Sequence, residues 1–139
     1  MLNEKYNPLI KKWTLIINPY LILVAITILS LAPENNLQID EKFIIPNLDK
    51  IVHIAMYFGL SFSILFHFFF KTTEKEKLMI GTFLFSSCYG AVMEFLQCLT
   101  NLGRNANFFD FLANEVGGIL AILTFKLLLK SKSKIFHFD

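Results

Sequence analysis

Nine side chains with functional groups lie within or next to apolar stretches of this sequence. Two of them, His53 and Glu94, could exchange protons, because an imidazole titrates near neutrality and a desolvated carboxyl group can serve as a general base. A charged side chain in hydrocarbon is costly, so such groups usually face an internal site or a water-filled cavity. The seven further candidates, interpreted as binding residues, are Asp49, Lys50, Tyr57, Gln97, Arg104, Asp110 and Asn114.

The two cations of this set could receive an anionic group. The guanidinium of Arg104 suits bidentate contact with a phosphate or carboxylate, and Lys50 adds a point charge. Both side chains could instead be interfacial anchors that extend their charge toward the head groups. Gln97 and Asn114 are expected to orient the charged groups through hydrogen bonds, whereas Asp110 could simply cap a helix.

Each titratable residue also has a purely structural interpretation. His53 could be an interfacial histidine that is hydrogen-bonded for packing, and Glu94 could belong to a buried ion pair that fixes helix register. Metal ligation by these two residues with Asp49 and Asp110 is conceivable. The sequence lacks the spaced His and Cys clusters of a zinc motif, and the two cations nearby would oppose a metal ion. We therefore expect neither a metal nor a cofactor.

The composition indicates an integral membrane protein, since 55% of the 139 residues are hydrophobic and the mean hydropathy is +0.54. A bilayer core needs roughly 20 apolar residues for each helical span. Four segments meet this length, so we predict an all-α bundle of four transmembrane helices that forms a single domain over residues 1–139. The predicted helices are Trp13–Ala32, Ile51–Phe70, Leu78–Leu99 and Phe111–Leu129. Pro19, beside Asn18, is expected to kink the first of them mildly.

The distribution of basic residues predicts the orientation in the cell membrane. Ten of the 13 Lys and Arg residues flank the start of the first span, the connection after the second, or the end of the fourth. Short cytoplasmic segments carry such an excess, so we predict a multi-pass protein with both termini in the cytoplasm. No basic surface interleaved with aromatic residues accompanies them, which disfavours a nucleic-acid partner and leaves membrane lipids as the expected surroundings.

Three of the predicted helices carry a polar stripe near the outer surface. At about 1.5 Å of rise per residue, His53 lies about 6 Å inward from Asp49, and Asn114 lies about 6 Å inward from Asp110. Glu94 lies about 9 Å inward from Thr100 on the third helix. Since the three stripes share one depth, we predict a single pocket at the outer surface, covered by the connection that contains Arg104.

The order and spacing of these residues resemble the VanZ-like family of small bacterial membrane proteins. The resemblance extends from Asp49 to Ala121, and Glu115 departs from it, because a small polar residue is more usual there. It implies an envelope-linked protein, in a family whose namesake raises resistance to the glycopeptide teicoplanin. The motifs that carry it are Asp49-Lys50-x-x-His53 with Tyr57, Glu94-x-x-Gln97, Gly103-Arg104, Asp110 and Asn114-x-x-Gly117.

The expected function is binding of a polar, anionic head group of an envelope component, such as a lipid-linked intermediate or a glycopeptide. One alternative is a membrane enzyme for phosphoryl or acyl transfer, in which His53 and Glu94 exchange protons while Lys50 and Arg104 stabilise negative charge. Another is a non-catalytic scaffold whose polar network only fixes helix packing. The sequence leaves open whether any reaction is catalysed.

Overall fold

The computed structural model of the chain describes residues 18–32, 47–69, 71–100 and 107–135, with side chains described as far as residue 130. These ranges contain four helices and no strands, which confirms the predicted all-α fold. The helices are α1 (Pro19–Ser30), α2 (Leu48–Phe68), α3 (Lys75–Thr100) and α4 (Phe108–Ile135).

Three of the four helices are long and apolar enough to cross a membrane. The spanning segments cover 21 residues in α2, 26 in α3 and 23 in α4, where the span is Phe108–Lys130. α1 has only 12 residues, which gives a length of about 18 Å against a hydrocarbon core of about 30 Å. The described part of α1 is therefore shorter than the predicted Trp13–Ala32 span, whose residues 13–17 lie outside the described ranges.

The kink predicted at Pro19 is wrong, because the proline begins α1 instead of interrupting it. Asn18 is extended, with φ −84° and ψ 118°, and its side-chain oxygen accepts a hydrogen bond from the Tyr20 amide at 2.9 Å. A proline at the first helical position loses no hydrogen bond, since that N–H has no partner within the helix. Asn18 thus serves as an N-cap.

Small residues bring α4 directly against α2. A Cβ atom added at Gly117 would lie 2.9 Å from the amide nitrogen of Phe58 and closer still to the carbonyl oxygen of Ile54. Ala113 and Ala121, one turn on either side, are 6% and 0% exposed. Helices in lipid associate where small side chains allow such an approach, so this row fixes the spacing of the two helices.

The outer surfaces of the helices are apolar. Large hydrophobic side chains are more than half exposed along α3 and α4, including Ile80, Phe95, Leu99 and Leu127. Water-exposed apolar faces of this extent are unusual in monomeric soluble proteins. They suit contact with lipid, while the buried interior is shared by Leu60, Leu65 and several polar residues.

The connection between α2 and α3 is basic and lies at one end of the bundle. The Lys71 ammonium lies 2.9 Å from His67 Nε2, and Lys77 pairs with Glu74 at 2.7 Å. Lys75 donates to backbone carbonyl groups of this connection. The start of α2, the end of α3 and the start of α4 meet at the opposite end, where the candidate site lies.

Candidate functional site

His53 lies at the centre of a buried polar cluster formed by α2, α3 and α4. Its Nδ1 is 2.9 Å from Asn114 Oδ1 on α4 and 3.9 Å from Glu94 Oε1 on α3. The three residues are only 8%, 2% and 7% exposed. The structure therefore brings together three of the predicted site residues from three different helices.

The contact with Asn114 defines the tautomer of a neutral His53. An amide oxygen only accepts hydrogen bonds, so the ring proton belongs on Nδ1, which donates to Asn114 Oδ1. The lone pair of the neutral imidazole is then on Nε2. His53 is thus held in an orientation in which its second nitrogen can accept a proton or bind an electrophile.

Glu94 is held by the segment that leads into α4. Its Oε2 accepts a hydrogen bond from the backbone amide of Asn107 at 3.2 Å. Asn107 in turn caps α4, because its side-chain oxygen accepts from the Phe109 amide at 2.9 Å. Sequence analysis did not select Asn107, although an Asn directly before an apolar helix is a recognisable cap signal.

The capping role considered for Asp110 is therefore filled by Asn107. Asp110 lies in the first turn of α4, where a carboxylate interacts favourably with the helix dipole. Its side chain is 14% exposed, and its Oδ1 is buried and accepts no hydrogen bond from the described residues. Lys50 Nζ lies 3.7 Å from that oxygen.

Asp49 and Lys50 form the rim of the cluster. Their side chains are 52% and 30% exposed and are joined by an ion pair of 3.0 Å. Lys50 also approaches Asp110, so it connects the rim with the start of α4. An exposed pair of this kind contributes little stability, which leaves the lysine able to exchange one anionic partner for another.

Tyr57 lies one turn deeper than His53 and is 1% exposed. Its ring packs against Tyr89, with the centroids 6.3 Å apart. A Cβ at Gly90 would lie 3.3 Å from the Tyr57 ring and 3.1 Å from Asn114 Nδ2. The glycine therefore permits the close approach of α3 to both side chains.

Gln97 is buried, but its hydrogen bond is directed toward α1 and not toward His53 or Glu94. Its Nε2 donates to the carbonyl oxygen of Ser30 at 2.8 Å, which ties the end of α1 to α3. Among the described contacts, Gln97 thus anchors α1 instead of orienting the charged groups. Arg104, the predicted cover of the pocket, lies outside the described residues.

Two further polar contacts lie deeper in the bundle. Ser61 and Ser86 share a hydrogen bond of 2.8 Å and are both buried. Tyr89 OH lies 2.7 Å from Thr27 Oγ1 and 3.0 Å from the Leu23 carbonyl oxygen, which joins α3 to α1. Sequence analysis selected none of these four residues, because hydroxyl groups in apolar helices carry no distinctive pattern.

The ligating atoms of three cluster residues converge. One imidazole nitrogen of His53 and one carboxylate oxygen each from Glu94 and Asp110 lie within 4.8 Å of one another. This set can bind a cation, and the pairing of His53 with Glu94 can also move a proton. With Lys50 at its rim, the cluster combines acid, base and cationic groups at one end of three apolar helices.

The family model described as VanZ/LLP1 matches residues 6–129. The match includes α1, α2, α3, most of α4 and every residue of the cluster, and it confirms the family suspected from the motifs between Asp49 and Ala121. No curated protein matches the chain, and no solved structure does so.

Proposed function

Since this chain belongs to the VanZ/LLP1 family, we propose that it is a membrane protein that binds the anionic head group of an envelope component at the polar end of its bundle. The observation that carries the proposal is a buried polar cluster with a cation at its rim: His53, Glu94 and Asp110 converge from three different helices, and the partly exposed Lys50 lies 3.7 Å from Asp110. Small residues already allow helices to associate in lipid. Helix association therefore does not require buried ionisable groups, which cost free energy in a membrane. A ligand-binding role accounts for their presence.

Lys50 at the rim supports an anionic ligand, and Arg104 lies close to a cluster residue in the sequence. Lys50 is partly exposed and, among the described residues, forms a hydrogen bond with the exposed carboxylate of Asp49. Arg104 is tied by the chain to Asn107, three residues later, whose amide contacts Glu94. A lysine and an arginine together suit a phosphate or carboxylate. Candidate ligands are a lipid-linked phosphate and the polar core of a glycopeptide.

The distribution of lysines supports placing the cluster at the outer face. Lys71, Lys75 and Lys77 follow the opposite end of α2, and the positive-inside rule assigns that end to the cytoplasm. Both termini are then cytoplasmic. Labelling of a cysteine introduced at Asn105 by a membrane-impermeant reagent in intact cells supports this orientation. Labelling of Asn105→Cys only after the cells are opened contradicts it.

A resistance assay and a binding assay together test the function. In a susceptible host that expresses the chain, we expect the minimum inhibitory concentration of teicoplanin to rise and His53→Ala to abolish the rise. In nanodiscs of phosphatidylcholine, we expect the purified chain to bind a polyprenyl phosphate and Lys50→Ala to weaken this binding. His67→Ala, at the other end of α2, is the matched control. The proposal is refuted if the chain confers no resistance and binds no more polyprenyl phosphate than the empty nanodisc does.

Catalysis of phosphoryl or acyl transfer is a second candidate function, favoured by the 3.9 Å separation of His53 Nδ1 and Glu94 Oε1. A base held this close to a carboxyl group can relay a proton during group transfer. The Glu94→Gln variant distinguishes an enzyme from a non-catalytic scaffold. An enzyme predicts a folded variant that binds the polyprenyl phosphate without turnover, whereas a scaffold role predicts poor insertion or unfolding.

A further inference from the structure

We propose that His53, Glu94 and Asp110 form a binding site for one divalent transition-metal ion, of which Zn²⁺ and Mn²⁺ are the two best matched to the donors. The set consists of one imidazole nitrogen and two carboxylate oxygens, contributed by α2, α3 and α4. Imidazole suits zinc, and carboxylate suits manganese. Three protein ligands leave at least one open position, as catalytic zinc sites do.

The geometry requires only small movements. One imidazole nitrogen of His53 and one carboxylate oxygen each from Glu94 and Asp110 lie within 4.8 Å of one another. Metal bonds of about 2.1 Å in a tetrahedron place ligand atoms about 3.4 Å apart. Closing the largest of these separations to that spacing takes side-chain shifts of about 1–1.5 Å.

Neighbouring residues orient the proposed ligands in the way that outer-shell residues do. Asn114 is 2% exposed and holds His53 through Nδ1, and the Asn107 amide holds Glu94 through Oε2. Ligating histidines commonly donate their second N–H to such an acceptor, which fixes the ring for the metal. Asn114 and Asn107 thus fix the orientations of the two proposed ligands, His53 and Glu94.

Two buried polar atoms of the cluster have room for a further partner. Asp110 Oδ1 is buried yet accepts no hydrogen bond from a described residue, and Lys50 at 3.7 Å is too distant to supply one. The amide nitrogen of Asn114 also has no hydrogen-bond partner in the described ranges. A metal ion would satisfy Asp110, and water on its open positions would offer acceptors to Asn114.

The charge of one cluster carboxylate favours a cation. Asp110 Oδ1 is buried and lies 3.7 Å from Lys50 Nζ, and that lysine already pairs with Asp49 at 3.0 Å. A dication would compensate the Asp110 carboxylate in a region where uncompensated charge is costly. Its open positions would then bind a phosphate or carboxylate, a step that rests on the proposed head-group function, whereas metal binding itself does not.

The test uses the full chain in nanodiscs, stripped with a chelator and titrated with ZnCl₂ or MnCl₂ alone. We expect titration calorimetry to show one bound ion per chain. The electron paramagnetic resonance signal of Mn²⁺ should broaden on binding. His53→Ala and Asp110→Asn should each weaken the affinity more than about tenfold. The matched controls at the opposite end of the bundle, His67→Ala and Glu74→Gln, should keep it.

Folding is checked separately by helical circular dichroism and elution volume. If His53→Ala fails to fold, the wild-type stoichiometry and Asp110→Asn decide the outcome. Absence of binding by the folded wild-type chain, or equal losses in variants and controls, overturns the metal site. Polyprenyl phosphate bound equally well with and without chelator would overturn the metal's part in head-group binding and leave the proposed function intact. A chain that binds the metal but does not bind polyprenyl phosphate would overturn the proposed function and leave the metal site intact.

Discussion

His53 Nδ1 and Asn114 Oδ1 lie 2.9 Å apart, although 61 residues separate them in the chain. Both side chains are buried where α2 and α4 begin, so neither has water as an alternative partner. Their hydrogen bond couples the orientation of the imidazole to the relative placement of the two helices.

Replacement of Asn114 by Ala should destabilise the bundle by about 1–3 kcal/mol, because the His53 N–H would lose its buried acceptor. Thermal unfolding in one detergent, followed by circular dichroism, measures the change. Cys98→Ala, on an exposed face of α3, provides the control and should be nearly neutral. Equal stability of the Asn114 variant and the wild type would show that the bond contributes nothing.

Substitution of Gly117 by Ala should cost about 1–3 kcal/mol, since the new methyl group would meet the α2 backbone. Gly81→Ala is the matched helical control, because nothing lies within 4 Å of its added Cβ. It should be neutral or stabilising by about 0.5–1 kcal/mol. Melting curves of the two variants compared side by side test the prediction, which fails if their order is reversed.

Loss of the Gln97 side chain should loosen α1 selectively. Gln97→Leu removes the donor to the Ser30 carbonyl group and should cost about 1 kcal/mol. Hydrogen exchange should become faster at amides of α1 while α2 and α4 keep their protection. Uniform acceleration in all helices would instead indicate that Gln97 supports the whole bundle.

Ser61 and Ser86 should show energetic coupling, because each is the other's hydroxyl partner at 2.8 Å. A double-mutant cycle with Ser61→Ala and Ser86→Ala should give an interaction energy of about 0.6 kcal/mol, typical for membrane interiors. Additive effects of the two substitutions, within the error of unfolding measurements, would contradict a shared bond.

The sequence was sufficient for the helices and for much of the cluster, because membrane spans need long apolar segments and buried charges are rare enough to be conspicuous. Helical spacing placed His53, Glu94 and Asn114 at one depth, and the structure brings them into contact. The described part of α1 begins later than the predicted span, since hydropathy does not register that Asn18 and Pro19 begin a helix.

The hydrogen-bond partners of the polar residues were less predictable from the sequence than the depth of those residues in the membrane. Gln97 shares a helix face with Glu94, yet it bonds the Ser30 carbonyl group, because the end of a neighbouring helix leaves backbone acceptors unsatisfied. The role of Asn107 depends on its backbone amide, which no residue type reveals. The proposed metal site differs from the expectation of none, because periodicity could not show that Asp110 Oδ1 accepts no hydrogen bond from the described residues.

The contact of Gly117 with the α2 backbone has a mechanical consequence. Because no side chain separates the two helices at Gly117, we expect α2 and α4 to move as one unit and the hydrogen bond between His53 and Asn114 to persist when the bundle deforms. An opening that admits a bulky ligand is then expected to move the end of α3 instead of separating α2 from α4. Spin labels on α3 and α4 should therefore separate on ligand binding, while a pair on α2 and α4 keeps its distance.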